Sequence, residues 1–218
     1  MKKILSGKKI LITAGPVWVP LDKVRVITSI FGGALGAIMA ENAEKLGADV
    51  LLIIGPGRVK IKQSKKLKVK KIKYCNELFG LMEEEISSKK YDVIIHSAAV
   101  PDYAPNEIFN GKIKSGKASL TIKLKPTVKI VDYIKKWDPS CFLVKFKLEV
   151  GCEEKQLLDI AQKSKASSNA DIIVANDLNK MAKDKQEAFI ISNSGTEEVF
   201  TKKQIAEKLL ETVSKNLR

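Results

Sequence analysis

Three short apolar runs, each closed by a glycine or proline turn, constrain this chain's fold more than any other feature. Lys9 to Ala14 (KILITA) ends at Gly15-Pro16, and Asp49 to Ile54 (DVLLII) ends at Gly55-Pro56-Gly57. Tyr91 to Ala98 (YDVIIHSA) runs up to a turn at Val100-Pro101-Asp102. Runs of this length, rich in Ile, Leu and Val, read as strands buried on both faces, the condition of a parallel sheet covered by helices. Between the first two, Gly32-Gly33 opens a stretch in which Ala37, Ile38, Ala40, Ala43 and Leu46 recur at helical spacing until Gly47 stops it. The unit is strand, helix, strand, with a Gly-rich turn before the helix.

Residues 67–73 read as a further strand and Glu77 to Ser88 as a helix leading into YDVIIHSA. This order predicts an α/β, doubly wound, Rossmann-like and mostly parallel sheet. After Pro105 the pattern changes to GKIKSGKASLTIKLK, an alternation expected of a half-exposed β-hairpin flap over about 104–126. Then come a helix from Val128 to Lys136, a strand from Phe142 to Phe146, a helix from Glu153 to Ser167 and a strand from Asp171 to Ala175. Ala188 to Ser192 and Glu198 to Thr201 are expected to pair around Asn193-Ser194-Gly195, and Lys202 to Leu217 to close the chain as an amphipathic helix. A chain of 218 residues can bury one sizeable core, so a single domain over 1–218 is expected.

The formal net charge of +14 favours anionic partners such as nucleotides and phosphorylated metabolites. The dense lysines from Lys60 to Lys73 read as a solvated surface. No finger spacing and no aromatic-interleaved basic run accompanies them, so no nucleic-acid partner is expected. Cys75, Cys141 and Cys152 are far apart and His96 is the one histidine, which argues against a disulfide framework and against a zinc site. The apolar part of the opening MKKILSGKKILITAGP is too short to span a membrane and no cleavage site follows it, so the start reads as a strand and the compartment as the cytoplasm.

Several residues invite chemistry. Main-chain amides at a helix start, approached closely through Gly32-Gly33-Ala34-Leu35-Gly36, suit phosphate, although the spacing is not GxGxxG and a structural turn has the same look. Arg25, just before that turn, can clamp phosphate or carboxylate, or form a salt bridge. The segment from His96 to Tyr103 lies at the carboxyl end of a buried strand, where open α/β sheets bind ligands. Asp102 there can hold a metal ion or hydroxyl, or cap a turn, while His96 reads as a packed histidine. Lys112 and Lys114, two residues apart, share one face if the flap is a strand, and can either close over polyphosphate or shield an edge. Asn176 and Asp177 follow the strand DIIVA and can bind ligand or cap the next turn.

Together, GKKILITAGP, PLDKVRVIT, GGALG, YDVIIHSAAVPDY, GKIKS and ADIIVANDL, in this order, resemble phosphopantothenate–cysteine ligase over nearly the whole chain. The likeness is to the stand-alone form, without the flavin decarboxylase domain. It implies a ligase of coenzyme A synthesis. A nucleoside triphosphate, CTP in most bacterial members and ATP in eukaryotic ones, activates the carboxylate of 4′-phosphopantothenate, pyrophosphate leaves, and the cysteine amine displaces the nucleoside monophosphate. CTP is the expected cosubstrate here. The resemblance also implies Mg²⁺ on the phosphates, with no metal ligand assigned, and a homodimer with the flap near its interface. By matching motif positions it assigns Arg25 to the phosphopantothenate side and Gly15, Gly33, Ala98, Ala99 and Asp102 to nucleotide binding at the strand ends. Lys112 becomes the flap lysine of acyl-nucleotide formation, Phe146 the base contact, and Lys163 the first of two helix lysines.

The departures cluster around the expected reaction centre. Where the family reads N-x-S-S-G-x-x-G, this chain has Ser29-Ile30-Phe31-Gly32-Gly33-Ala34-Leu35-Gly36. Ser29 replaces an asparagine and lacks the amide's paired donor and acceptor. Gly15-Pro16-Val17 replaces GGT, Ser167 the second helix lysine, and Lys145 the glycine before Phe146. A non-catalytic nucleotide- or phosphometabolite-binding protein on the same scaffold is therefore the alternative. An NAD(P)-dependent reductase is disfavoured by the missing GxGxxG and the absence of a Tyr-x-x-x-Lys pair.

Overall fold

The strand KILITA, buried from its second residue onward, lies near the centre of the sheet. The computed structural model describes residues 3–182 and 185–217. In chain order its elements are β1 (Lys9–Ala14), β2 (Val19–Pro20), β3 (Val26–Ile27), α1 (Ala34–Lys45), β4 (Asp49–Ile54), β5 (Leu67–Lys71), α2 (Cys75–Ser87) and β6 (Val93–His96). There follow β7 (Tyr103–Pro105), β8 (Leu124–Pro126), α3 (Val131–Trp137), β9 (Phe142–Glu149) and α4 (Glu154–Ser167). The chain finishes with β10 (Ile172–Met181), β11 (Gln186–Ser192), β12 (Gly195–Val199) and α5 (Lys202–Asn216).

Eight strands form one sheet in the order β12-β11-β10-β9-β6-β1-β4-β5. From β5 to β10 every neighbour is parallel, and β11 and β12 add an antiparallel edge. Leu11 of β1 sits opposite Leu51 of β4 on one side and Ile94 of β6 on the other. The chain leaves β1 toward β4 and β5, then returns to β6 on the opposite side, so the winding reverses between β1 and β6. The fold is the doubly wound α/β class expected.

Side chains alternate between two covered faces. Ile10, Ile12 and Ala14 pack with Met39 and Ala40 of α1 and with Leu209 and Leu210 of α5. Leu11, Ile53 and Ile94 point the other way, onto Leu78 and Met82 of α2 and Ile134 of α3. Further along that face, Ile173 and Phe189 meet Leu157 and Ala161 of α4. Covering both faces is what removes polar alternation from the strand sequences.

The flap departs from expectation. Only β7 and β8 pair, from Tyr103 opposite Pro126 to Pro105 opposite Leu124, with one further bond from Asn106 N to Lys123 O. Residues 107–123 form no strand, so Lys112 and Lys114 do not share a strand face. The segment is instead tied at its tip to the turn between β2 and β3. Phe109 N donates to Leu21 O, Lys23 N to Gly111 O, and Ile113 N to the Asp22 carboxylate. The alternating Lys/Ile pattern here is a surface composition, because most of these residues face solvent and no neighbouring strand enforces a register.

Candidate active site

The reversal between β1 and β6 splays the chain at the carboxyl ends of the strands, the place where open α/β sheets form a ligand crevice. β1 is followed by Gly15, whose φ of 76° turns the chain away. The loops beyond the strands stay joined by Ala99 N to Gly15 O and Val17 N to Ala99 O. The helix α1 starts beside them. Gly33 is its N-cap at φ 85°, and a Cβ on it would stand 3.1 Å from Gly15 Cα. Gly36, one turn on, lies so close to β1 that a Cβ would be 2.2 Å from that of Ala14. These glycines seat the helix N-terminus at the crevice, with unpaired amides facing it and no acidic residue in the first turn to compete for them.

The crevice encloses about 360 Å³. One wall is Gly15 with the Gly32-Gly33 turn, and its floor is Ser97, Ala98 and Ala99. The far wall is Phe146 and Leu148 of β9, Asn176 and Met181 of β10, Gln186 of β11 and Lys202 of α5. A second cavity of about 510 Å³ opens on the other side of Ala98, Ala99 and Phe146, and includes His96, Asp102, Lys129 and Lys145.

The polar groups here have defined states. His96 Nδ1 is 2.8 Å from Thr13 Oγ1, so this histidine is held by a side chain and not by the backbone. Burial, reinforced by the charge of Lys145, pulls its pKa down to about 4, and the ring is neutral at physiological pH. Lys145 is 7% exposed and donates to Ser164 O and Ser168 Oγ, each at 3.0 Å. Burial lowers its pKa as well. Asp102 is exposed, and its carbonyl accepts from Thr127 N. Asp177 accepts from the amides of Gly151, Cys152 and Asn179, which hold its carboxyl below its ordinary range. It fastens the loop between β9 and α4, and its neighbour Asn176 is the one that faces the crevice.

Of the residues singled out in the sequence, Gly15, Gly33, Ala98, Ala99 and Phe146 line the crevice, and Asp102 lines the second cavity. Arg25, Ser29, Lys112 and Lys163 line neither. Arg25 is engaged by Asp22, which is buried and also accepts from Val24 N, Arg25 N and Ile113 N. The Ile113 amide comes first among the groups that hold the Asp22 carboxyl far below its usual range. Ser29 Oγ is enclosed with no partner among the described residues. Lys112 is exposed on the flap and Lys163 is exposed on α4. The sequence did not point to Leu148, Met181, Gln186 or Lys202. They reach the crevice from the strands and helix that close the far side of the sheet, a proximity no local motif encodes.

The described residues contain no group of three or more His, Cys, Asp or Glu able to hold a metal ion, no disulfide, and no helix long and apolar enough to cross a membrane.

Residues 5–217 match the model of the DNA/pantothenate metabolism flavoprotein C-terminal domain. The chain is 35% identical over 217 residues to the coenzyme A biosynthesis bifunctional protein CoaBC of Thermococcus kodakarensis, covering 99% of this chain and 53% of that protein. It thus spans about half the length of the curated relatives it matches. Among solved structures, the DNA/pantothenate metabolism flavoprotein from Streptococcus pneumoniae superposes with a TM-score of 0.88 at 33% identity, over 96% of this chain and 100% of that one. A histidine-to-alanine mutant of Cab2, in complex with phosphopantothenate-cysteine, gives 0.80 at 17% identity over 96% and 87%, a likeness of fold alone.

Proposed function

Because this chain belongs to the family of the DNA/pantothenate metabolism flavoprotein C-terminal domain, we propose that it joins 4′-phosphopantothenate to L-cysteine at the expense of a nucleoside triphosphate, as a ligase of coenzyme A biosynthesis. One observation carries the reading. Two cavities meet across Ala98, Ala99 and Phe146, one with a helix N-terminus suited to phosphate and the other with room for an acid. Such a pair brings a carboxylate and a phosphate to one wall, which is the proximity an acyl-nucleotide requires.

In this reading the triphosphate lies with its phosphates on the amides of α1 and its base toward Phe146. The carboxylate of 4′-phosphopantothenate attacks the α-phosphorus and pyrophosphate leaves. The cysteine amine then attacks the acyl carbon, loses a proton, and displaces the nucleoside monophosphate. His96, neutral and held by Thr13, is positioned to line the acid cavity without adding charge. Mg²⁺ would neutralise the phosphates. With no three-carboxylate cluster among the described residues, it fits as an ion carried mainly by the nucleotide, with Asp102 as the nearby carboxylate. CTP is the proposed nucleotide and ATP its alternative.

We further propose a single domain over 1–218 with its flap at about 104–126, acting in the cytoplasm as a homodimer. The flap and its surroundings expose Val24, Tyr103, Ile108, Phe109, Leu120 and Leu124, an apolar surface that a second copy would cover. Arg25 and Lys112 sit on that same flap assembly and outside their own chain's cavities, so each is assigned to the partner's site. Ser29, whose own hydroxyl is enclosed, is assigned to the acyl-nucleotide step by its motif position, and Lys163 by its place on α4 next to Ser164, which lines the second cavity.

The test is pyrophosphate release on mixing the protein with 4′-phosphopantothenate, cysteine, Mg²⁺ and either CTP or ATP. Release that requires phosphopantothenate is the expected result. Tight nucleotide binding without release would replace the ligase with the binding-only alternative.

A further inference from the structure

Lys145 is a charged group that the proposed chemistry leaves idle. It sits within β9, between His96 of β6 and Ile173 of β10, and is 7% exposed. A lysine is seldom buried this deeply unless a carboxylate neutralises it, because its ammonium gives up hydration. Here the ammonium meets a carbonyl and a hydroxyl, those of Ser164 and Ser168 at the end of α4, and no carboxylate among the described residues. A helix end carries a partial negative charge, which tolerates a cation and does not cancel it. Two of the three ammonium N–H groups are used, and the third has no acceptor among the described residues.

The residue lines the cavity of about 510 Å³ that also holds Lys129, Lys147, Asp102 and Asp132. Burial works against its charge, Asp132 favours it from beyond bonding distance, and Lys147 and Lys129 oppose it. Asp102 is exposed, His96 is neutral, and Lys147 is paired with Glu149. The wall is left with an uncompensated buried cation, which an anion entering the cavity would neutralise. Two departures from the resembled motif meet at this place. Lys145 stands where the motif has glycine, and Ser167, which stands where it has the second helix lysine, lines the same cavity. A cation missing from the helix is replaced by one that reaches it from the strand.

We infer that Lys145 is a ligand-binding residue of this chain, its ammonium taking an anionic oxygen, carboxylate or phosphoryl, of the substrate that enters the second cavity. The inference rests on the reading of that cavity as a substrate site. Two substrates carry such oxygens, 4′-phosphopantothenate and the nucleoside triphosphate, and the test tells them apart.

The test measures dissociation constants by calorimetry for 4′-phosphopantothenate, CTP and ATP on the wild type, Lys145→Met and Ser168→Ala. In Lys145→Met one class of ligand, the acid or the nucleotide, is expected to bind about tenfold more weakly, the scale of one charge-assisted hydrogen bond. The class that weakens is the one whose oxygen Lys145 holds. Ser168→Ala takes away one of the bonds that tie the lysine to α4 and keeps the cation. It is expected to lower the melting temperature and to leave both affinities within about twofold. If Lys145→Met does not fold, Lys145→Gly, the motif residue, is read in the same way. A folded variant that binds acid and nucleotide as the wild type does overturns the assignment of Lys145 and leaves the ligase reading intact. Equal weakening of acid and nucleotide, or an equal loss in Ser168→Ala, marks a merely structural lysine and overturns it too. Wild-type protein that binds none of the three ligands overturns both.

Discussion

A serine hydroxyl that is shut in and unbonded among the described residues stands at one of the departures from the motif this chain resembles. Ser29 stands where the motif resemblance leads one to expect asparagine, and its Oγ finds no partner among the described residues. An amide there would offer both a donor and an acceptor. Ser29→Asn is therefore expected to raise ligase turnover by about tenfold, the order of one hydrogen bond made in the transition state, read as pyrophosphate release. Gly36 is the opposite case, a position where nothing can be added. Gly36→Val would force a branched side chain into Ala14 and push the start of α1 off the sheet. It is expected to cost about 1–3 kcal/mol by overpacking, seen as a lower melting temperature, and to weaken nucleotide binding. Both residues lie in a stretch the sequence singled out. What the sequence could not give was the surroundings: that the Ser29 hydroxyl is enclosed, or that Gln186 opens onto the same crevice as Gly33, depends on segments brought together from distant parts of the chain.

At the scale of elements, the buried parallel strands were legible because burial on both faces leaves a plain apolar run. β1, β4 and β6 fall within the expected segments, and α1 ends just before Gly47 as its positive φ of 102° requires. β9 and β10 run longer than expected, since their later residues mix polar and apolar side chains and so break the plain apolar run. The flap failed as a strand because alternation between exposed positions has no core to refer to. Its tip is held by Asp22, so Asp22→Ala is expected to speed hydrogen exchange of the tied Phe109 and Ile113 amides by about tenfold or more, with the exchange of β1 unchanged. The outer edge of the sheet has a comparable anchor. Glu85 of α2 is buried and bonded to Lys70 of β5, to Lys90 and to the Tyr91 hydroxyl. Burial opposes its charge, but these partners outweigh burial and bring its pKa to about 2. Its folded value lies below the ordinary carboxylate value of 4.5, so its contribution is complete above that pH and disappears as pH falls toward 2. Glu85→Gln is expected to lower the melting temperature at pH 7 and to flatten the acid limb of stability between pH 5 and 2.

For the whole molecule, the separation of Arg25 and Lys112 from their own cavities makes assembly the deciding question. If each protomer lends its flap to the other, Lys112→Ala and Phe146→Ala are each inactive alone. Mixed and allowed to exchange subunits, half the dimers are hybrids with one intact site of two, so about a quarter of wild-type activity returns. Sites built within one chain recover nothing. The same exposed surface predicts that Phe109→Asp yields a monomer in sedimentation and loses turnover with it. The relatives that the chain matches are about twice as long, and the exchange test needs only this chain.

Ala98 and Ala99 form the partition between the two chambers, and their side chains are single methyl groups. In the proposed reaction, a mixed anhydride formed against so thin a divider would be handed to the amine without a journey through bulk water. Widening either residue to valine would thicken the divider, and triphosphate consumed for each molecule of product would climb above one as the activated acid is lost to hydrolysis.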